Sequence, residues 1–188
     1  MLALWIVLGV VAFLALAFVF WYISCYNNFK RLINNIEESR STIDVCLKKR
    51  FDLIPNIVET VKGYAKHEKE TLAAVISARS GVAAAKTPEG KMKAEGELTG
   101  ALRQLFAVAE SYPELKANTN FLDLQNQLKS IETEIANSRR YFNATVKQYN
   151  NLVAMFPSNI IARKYGYEKE KMFEIENPKE RENVKVQF

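Results

Sequence analysis

Apolar residues are distributed along this chain in two different ways. From Leu2 to Ile23 they run as LALWIVLGVVAFLALAFVFWYI, with one glycine and no charge, and the first charged side chain is Lys30. Beyond that point they recur at intervals of three and four, the spacing that gathers side chains on one face of an α-helix. The uninterrupted run predicts a transmembrane helix. At 1.5 Å per residue it covers roughly 33 Å, close to the hydrocarbon thickness of a bilayer. Trp5 at one end, and Trp21, Tyr22 and Tyr26 at the other, are the side chains that settle at headgroup level. A cleavable signal peptide would need a basic leading region, a short apolar core and a small-residue cleavage site, and the pattern fits none of these.

The longest periodic stretch is Phe121, Leu124, Leu128, Ile131, Ile135, Ser138, Phe142, Thr145, Tyr149, Leu152 and Phe156. This heptad-like, coiled-coil type of stripe predicts one long helix, opened by Asn118 or Thr119 as a cap and closed by Pro157. Upstream, Phe29, Leu32/Ile33, Ile36, Ile43, Leu47 and Phe51 form a similar stripe, interrupted by Arg40. It continues the transmembrane helix, because residues 24–28 hold neither glycine nor proline. Asp52-Leu53-Ile54-Pro55 predicts a boundary, with Asp52 capping a new helix and Pro55 in its first turn. That helix carries Ile54, Ile57/Val58, Val61, Tyr64/Ala65, Leu72 and Val75/Ile76. After the turn-rich 81–90 stretch, a third helix runs from about Lys91 to Tyr112, with Leu98, Ala101/Leu102, Leu105/Phe106 and Ala109 inward, and Pro113 ends it.

Each amphipathic segment buries one stripe, so the segments must pack on one another. The expected fold is all-α: an N-terminal transmembrane helix (1–26) followed by an antiparallel, elongated four-helix bundle (27–157). A bent helix continuous through Pro55, in a three-helix arrangement, is the alternative. Residues 158–188 mix Ile160, Ile161, Tyr165, Tyr167, Met172, Phe173 and Phe188 with many charges, and form a segment that either wraps the bundle or docks a partner.

Charge and composition narrow the function. The 188 residues include only 7 glycines and 5 prolines, which favours helices, and the net charge of +5 is spread along the chain. Lys48-Lys49-Arg50 and Arg139-Arg140 are its tight basic clusters, both within helical patterns, and they read as solvated faces. No nucleic-acid footprint follows from them. The basic residues after the span, Lys30 and Arg31, place the C-terminal domain in the cytoplasm by the positive-inside rule. Cys25 and Cys46 cannot bridge within one straight helix and read as free thiols.

Catalytic signals are missing. The single histidine, His67, stands in KHEKE, but Thr71 occupies the place where a zinc-protease motif needs a second histidine. A carboxylate-bridged di-iron bundle needs two Glu-x-x-His repeats, and there is not one. Glu37/Glu38, Glu68/Glu70 and Glu132/Glu134 read as surface partners of nearby lysines. Asn143-Ala144-Thr145 fits a glycosylation sequon inside the strongest helix. No catalytic residue, metal or cofactor is expected.

The stretch RSTIDVCLKKRFDLIPNIVETVKGYAKHEKETLAAVISAR (40–79) resembles the LemA family signature, notably in Asp44, Lys49-Arg50, Asp52-Leu53-Ile54-Pro55-Asn56 and His67-Glu68. The likeness continues through AVAESYPELKANTNFLDLQNQL (107–128), RRYFNATVKQYN (139–150), FPSNIIARKYGY (156–167) and a closing VKVQF. The resemblance implies a mostly antiparallel helical bundle on an N-terminal bacterial inner-membrane anchor, with no established enzymatic activity. It also implies links to membrane-protein quality control beside a membrane metalloprotease, and to magnetosome formation.

The expectation is therefore a non-catalytic, single-pass membrane scaffold that forms a homo-oligomer or organises membrane proteins. The alternative is an adaptor of a membrane protease or another membrane protein, with Asp52, Pro55, Asn56, Tyr165, Tyr167 and Phe173 as candidate contacts.

Overall fold

The stripes become six helices in the computed structural model, which describes residues 1–173, with residues 88 and 89 described by their backbone alone. They are α1 (Leu2–Tyr64), α2 (Lys69–Ala84), α3 (Pro88–Ala109), the single turn α4 (Pro113–Lys116), α5 (Thr119–Ala154) and α6 (Ser158–Tyr165). No strand occurs among the described residues, so the fold is all-α. The closing VKVQF lies outside the described residues.

The chain divides into two compact units, one made of residues 1–43 with the chain from Asn137 onward, the other of Asp44–Ala136. Helices α1 and α5 each contribute residues to both.

In the first unit, α1 begins as the apolar run. Leu2–Phe20 faces outward along its whole length, Trp21 and Tyr22 are half-buried, and the most apolar window of the helix is 0% buried. A core helix of a soluble protein would be covered. This one is long and apolar enough to cross a membrane, and its exposure fits a segment surrounded by lipid. From Phe29 the same helix acquires a buried face of Phe29, Leu32, Ile36, Ser39 and Ile43, and Phe142, Val146 and Tyr149 of α5 and Ile161 and Ala162 of α6 are buried in the same unit. Phe29 is fully buried and meets Tyr149 edge-on, with ring centres 6.0 Å apart. Burial of such a ring contributes about 2–3 kcal/mol.

The expected interruption at Arg40 does not arise. Ser39 takes the inward position, its hydroxyl donating to the Ile36 carbonyl at 2.9 Å, so the stripe runs 32, 36, 39, 43 in steps of four, three and four. Arg40 points outward, over the Phe142 ring at 5.7 Å and toward Glu170 at 3.7 Å.

The second unit is built on one apolar cluster. It takes Leu53, Ile54, Ile57, Val58 and Val61 from α1, Leu72, Val75 and Val82 from α2, Leu98, Leu102 and Leu105 from α3, and Leu115, Phe121 and Leu128 beyond. Asn118 caps α5 as expected, its side-chain oxygen accepting from the Phe121 N–H at 2.9 Å. Thr87 caps α3 in the same way, accepting from the Gly90 N–H at 3.0 Å.

The boundary expected at Asp52 is absent: α1 continues without a break to Tyr64 with Pro55 inside it. The helix is continuous through Pro55, as the alternative had it. Proline has no N–H, so the Phe51 carbonyl loses its helical donor, a defect that costs on the order of 3 kcal/mol in a helix interior. Here Arg79 of α2 supplies the replacement. Its Nε donates to the Phe51 oxygen at 3.2 Å, and its guanidinium lies over the Phe51 ring at 3.9 Å. The first break in the helix comes instead at residues 65–68.

Candidate functional site

Three features of the chain gather polar or aromatic chemistry. The first lies in unit two. Arg50 and Glu95 are both almost wholly buried and paired with each other. One Arg50 nitrogen also meets Glu132 Oε1 at 2.7 Å and donates to Thr99 Oγ1 at 3.0 Å. The expectation that Lys48-Lys49-Arg50 is a solvated face holds for the two lysines and fails for Arg50. Its position gives the reason: Arg50 stands four residues after Cys46 and four before Ile54, on the inward stripe. A guanidinium there requires carboxylates from α3 and α5. Closed off from solvent with its carboxylate partner, Arg50 ties α1 to α3 and α5 as a structural lock.

Nearby, the buried Cys46 thiol approaches Glu134 at 3.6 Å. Burial, then the hydrogen bond to the carboxylate, pushes this thiol above its ordinary range, away from the reactive thiolate. Cys25 and Cys46 are both free. His67 is exposed in the turn between α1 and α2. No group of three or more His, Cys, Asp or Glu side chains able to hold a metal ion occurs among the described residues.

The second feature is the DLIPN segment. Asp52, Pro55 and Asn56 lie within about one helical turn on the outward face of α1. Asp52 pairs with Lys48, and the Asn56 carbonyl accepts from the Thr60 hydroxyl at 2.8 Å.

The third feature, in unit one, is a collar at the end of the apolar run. The Tyr22 and Tyr165 hydroxyls are 2.8 Å apart, and Lys164 Nζ donates to the Tyr22 hydroxyl at 2.9 Å. These two tyrosine contacts hold the lysine above its ordinary range, the Tyr22 hydrogen bond foremost. Tyr26 packs on Tyr165 at 5.0 Å, Tyr165 stacks on Tyr167 at 5.9 Å, and Tyr167 reaches the buried Phe29 at 4.9 Å. Lys30 lies 5.8 Å from the centres of both the Tyr26 and Tyr167 rings. Gly166 makes the return possible: at φ 68° it takes the left-handed conformation, and the Tyr167 N–H closes back on the Ala162 carbonyl at 2.9 Å. Beside the collar, Trp21, Ser24, Cys25 and Arg31 of α1 line an open cleft with Leu152 and Ser158.

After Tyr167 the chain is held along α5 by two asparagines. Asn150 exchanges two hydrogen bonds with the backbone of Glu170, both 2.9 Å. Asn143, two helical turns earlier, does the same with Phe173 at 2.9 and 2.8 Å. Phe173 packs on Phe142, ring centres 4.8 Å apart. Described residues 158–173 thus lie against their own unit. The sequon asparagine is engaged in this clasp, and Thr145 is buried. Of the candidate contacts, Tyr165, Tyr167 and Phe173 belong to this unit, while Asp52, Pro55 and Asn56 belong to the other. The clasp escapes sequence reasoning because an asparagine inside a helix carries no sign of what its amide holds.

Comparison with known proteins adds a family. The sequence profile of the LemA family matches residues 39–188. Protein LemA of Metamycoplasma hominis is 28% identical over 151 residues, covering 78% of this chain and 68% of that protein. Magnetosome protein MamQ 2 of Paramagnetospirillum magneticum is 26% identical over 194 residues, covering 89% and 70%. Magnetosome protein MamQ of Magnetospirillum gryphiswaldense is 23% identical over 183 residues, covering 84% and 67%.

Proposed function

The chain belongs to the LemA family, and from that premise we propose that it is a non-catalytic, single-pass scaffold that organises membrane proteins or copies of itself at a bacterial inner membrane. One observation carries this reading: the outward-facing apolar run and the packed face from Phe29 to Ile43 belong to a single unbroken helix. Anchor and folded unit are joined without a linker, so a partner held by one is fixed in orientation by the other. The charged groups with buried positions pair internally, which leaves structure as their task. The relatives named for the magnetosome take that name from a cellular structure and not from a reaction, which supports an organising role.

The stripe of α5 is consumed inside the protein, with Phe121, Leu128, Ile135, Phe142 and Tyr149 all buried. Self-association through that stripe therefore loses its support, and outward residues such as Val45, Ile76, Leu122 and Tyr141 are the apolar surface left for a partner. The second reading, an adaptor for one membrane protein, is favoured by the outward Pro55 and Asn56 and the exposed Lys48–Asp52 pair beside them. The deciding experiment is the mass of the particle extracted into nanodiscs, with its partners identified in the same sample. A homogeneous assembly of several copies is expected for the scaffold. One copy bound to a different membrane protein would replace that reading with the adaptor.

A further inference from the structure

The corner between α5 and α6 exposes large apolar side chains where a water-facing turn would carry polar ones. Phe156 is 80% exposed, Met155 61% and Ile160 56%. Phe156 and Ile160 are four residues apart, and Arg163 and Lys164 follow Ile160 at the next helical turn. The inward side of α6 is already occupied, with Ser158, Ile161 and Ala162 buried against unit one. The exposed side is thus a separate amphipathic surface, an apolar tip adjoined by two cations.

Its depth is set by the contacts of the collar. Tyr165 and Lys164 bond the hydroxyl of Tyr22, and Tyr22 is the next-to-last residue of the apolar run. Leu152 and Ser158 border the same cleft as Trp21, Cys25 and Arg31. This corner is therefore held at the level where the span leaves the hydrocarbon. An apolar tip flanked by Lys and Arg at that level has the composition of an interfacial amphipathic element, and basic side chains there are attracted to anionic lipid.

We propose that the α5–α6 corner is a second membrane contact, in which Met155, Phe156 and Ile160 enter the headgroup–acyl boundary while Arg163, Lys164 and Arg31 bind the phosphates of anionic phospholipids. This rests on the membrane-anchored reading of α1. The contact fixes the rotation of α1 about its own axis relative to the bilayer, which a lone span cannot do.

The test uses full-length single-tryptophan chains in vesicles of phosphatidylcholine alone, or with one quarter phosphatidylglycerol, each with lipids brominated near the headgroup end of the acyl chain. Three chains are compared: W5F, which reports Trp21; W5F/W21F/F156W; and W5F/W21F/Y141W, a control at an exposed position roughly 20 Å back along α5. Quenching at positions 21 and 156, with none at 141, is expected. R163Q/K164Q in the F156W chain should at least halve the quenching at position 156 in the anionic vesicles. Quenching at 21 without quenching at 156 overturns the second contact while leaving the anchor intact. Loss at 21 as well overturns the membrane reading itself. Equal quenching at 156 with and without phosphatidylglycerol, unaltered by R163Q/K164Q, overturns the role given to the cations.

Discussion

Arg50 shows what one buried charge demands of its surroundings. With Glu95 beside it and Glu132 closing the third side, its desolvation is offset. Glu95→Ala leaves the guanidinium facing one carboxylate fewer and should destabilise the folded chain by about 3 kcal/mol, measured by denaturation in detergent. R50M/E95L, which removes both charges, should cost clearly less than Glu95→Ala alone. An equal or larger loss in the double variant would mean that the pair itself, and not the orphaned charge, carries the effect. Pro55 and Arg79 form a second coupled pair. Arg79→Ala should cost about 2 kcal/mol, because the Phe51 carbonyl then lacks any donor. In a Pro55→Ala background the helix supplies its own N–H, so the loss should shrink by about 1 kcal/mol or more. Additive effects in this cycle would refute the substitution of one donor for another.

At the scale of elements, periodicity located most of the helices well. The inward positions Leu98, Leu102, Leu105 and Ala109 of α3 are those its spacing predicts, and the α5 stripe is buried as far as Tyr149 and turns outward at Phe156. The Asp52 boundary failed because local rules weigh a proline only against its own helix, whereas the missing donor is replaced from another one. The segment after α6 follows the same logic. Its extended backbone has no helical or sheet partner, and the amides of Asn143 and Asn150 take that place. N143A/N150A removes four hydrogen bonds of about 1 kcal/mol each. The Glu170 and Phe173 amides should then exchange with deuterium at least tenfold faster, while those in the middle of α3 stay unchanged. Unaltered exchange at Glu170 and Phe173 would show that ring packing, and not the clasp, holds the segment.

At the scale of the molecule, the orientation expected from the sequence rests on the basic residues that flank the span. Lys30 and Arg31 follow the span directly, and no basic residue precedes it in residues 1–29. With the domain on the cytoplasmic side, trypsin added outside spheroplasts should leave the domain whole and digest it only after permeabilisation. Digestion from outside in intact spheroplasts reverses the orientation.

The amino-acid sequence by itself determined the apolar run long enough to cross a membrane, the all-α class, the inward stripes of α3 and α5 and the family likeness. Each follows from patterns within a few turns of chain, where neighbouring residues decide the outcome. Tertiary structure alone decided that Arg50 is buried, that Pro55 lies within a helix, that two asparagines clasp residues 170–173, and that α6 stands at the level of Tyr22. In every one of these the deciding partner is at least twenty residues away along the chain. Desolvation and hydrogen-bond completion act through space, and a periodic pattern records only which face turns inward, not which group waits there.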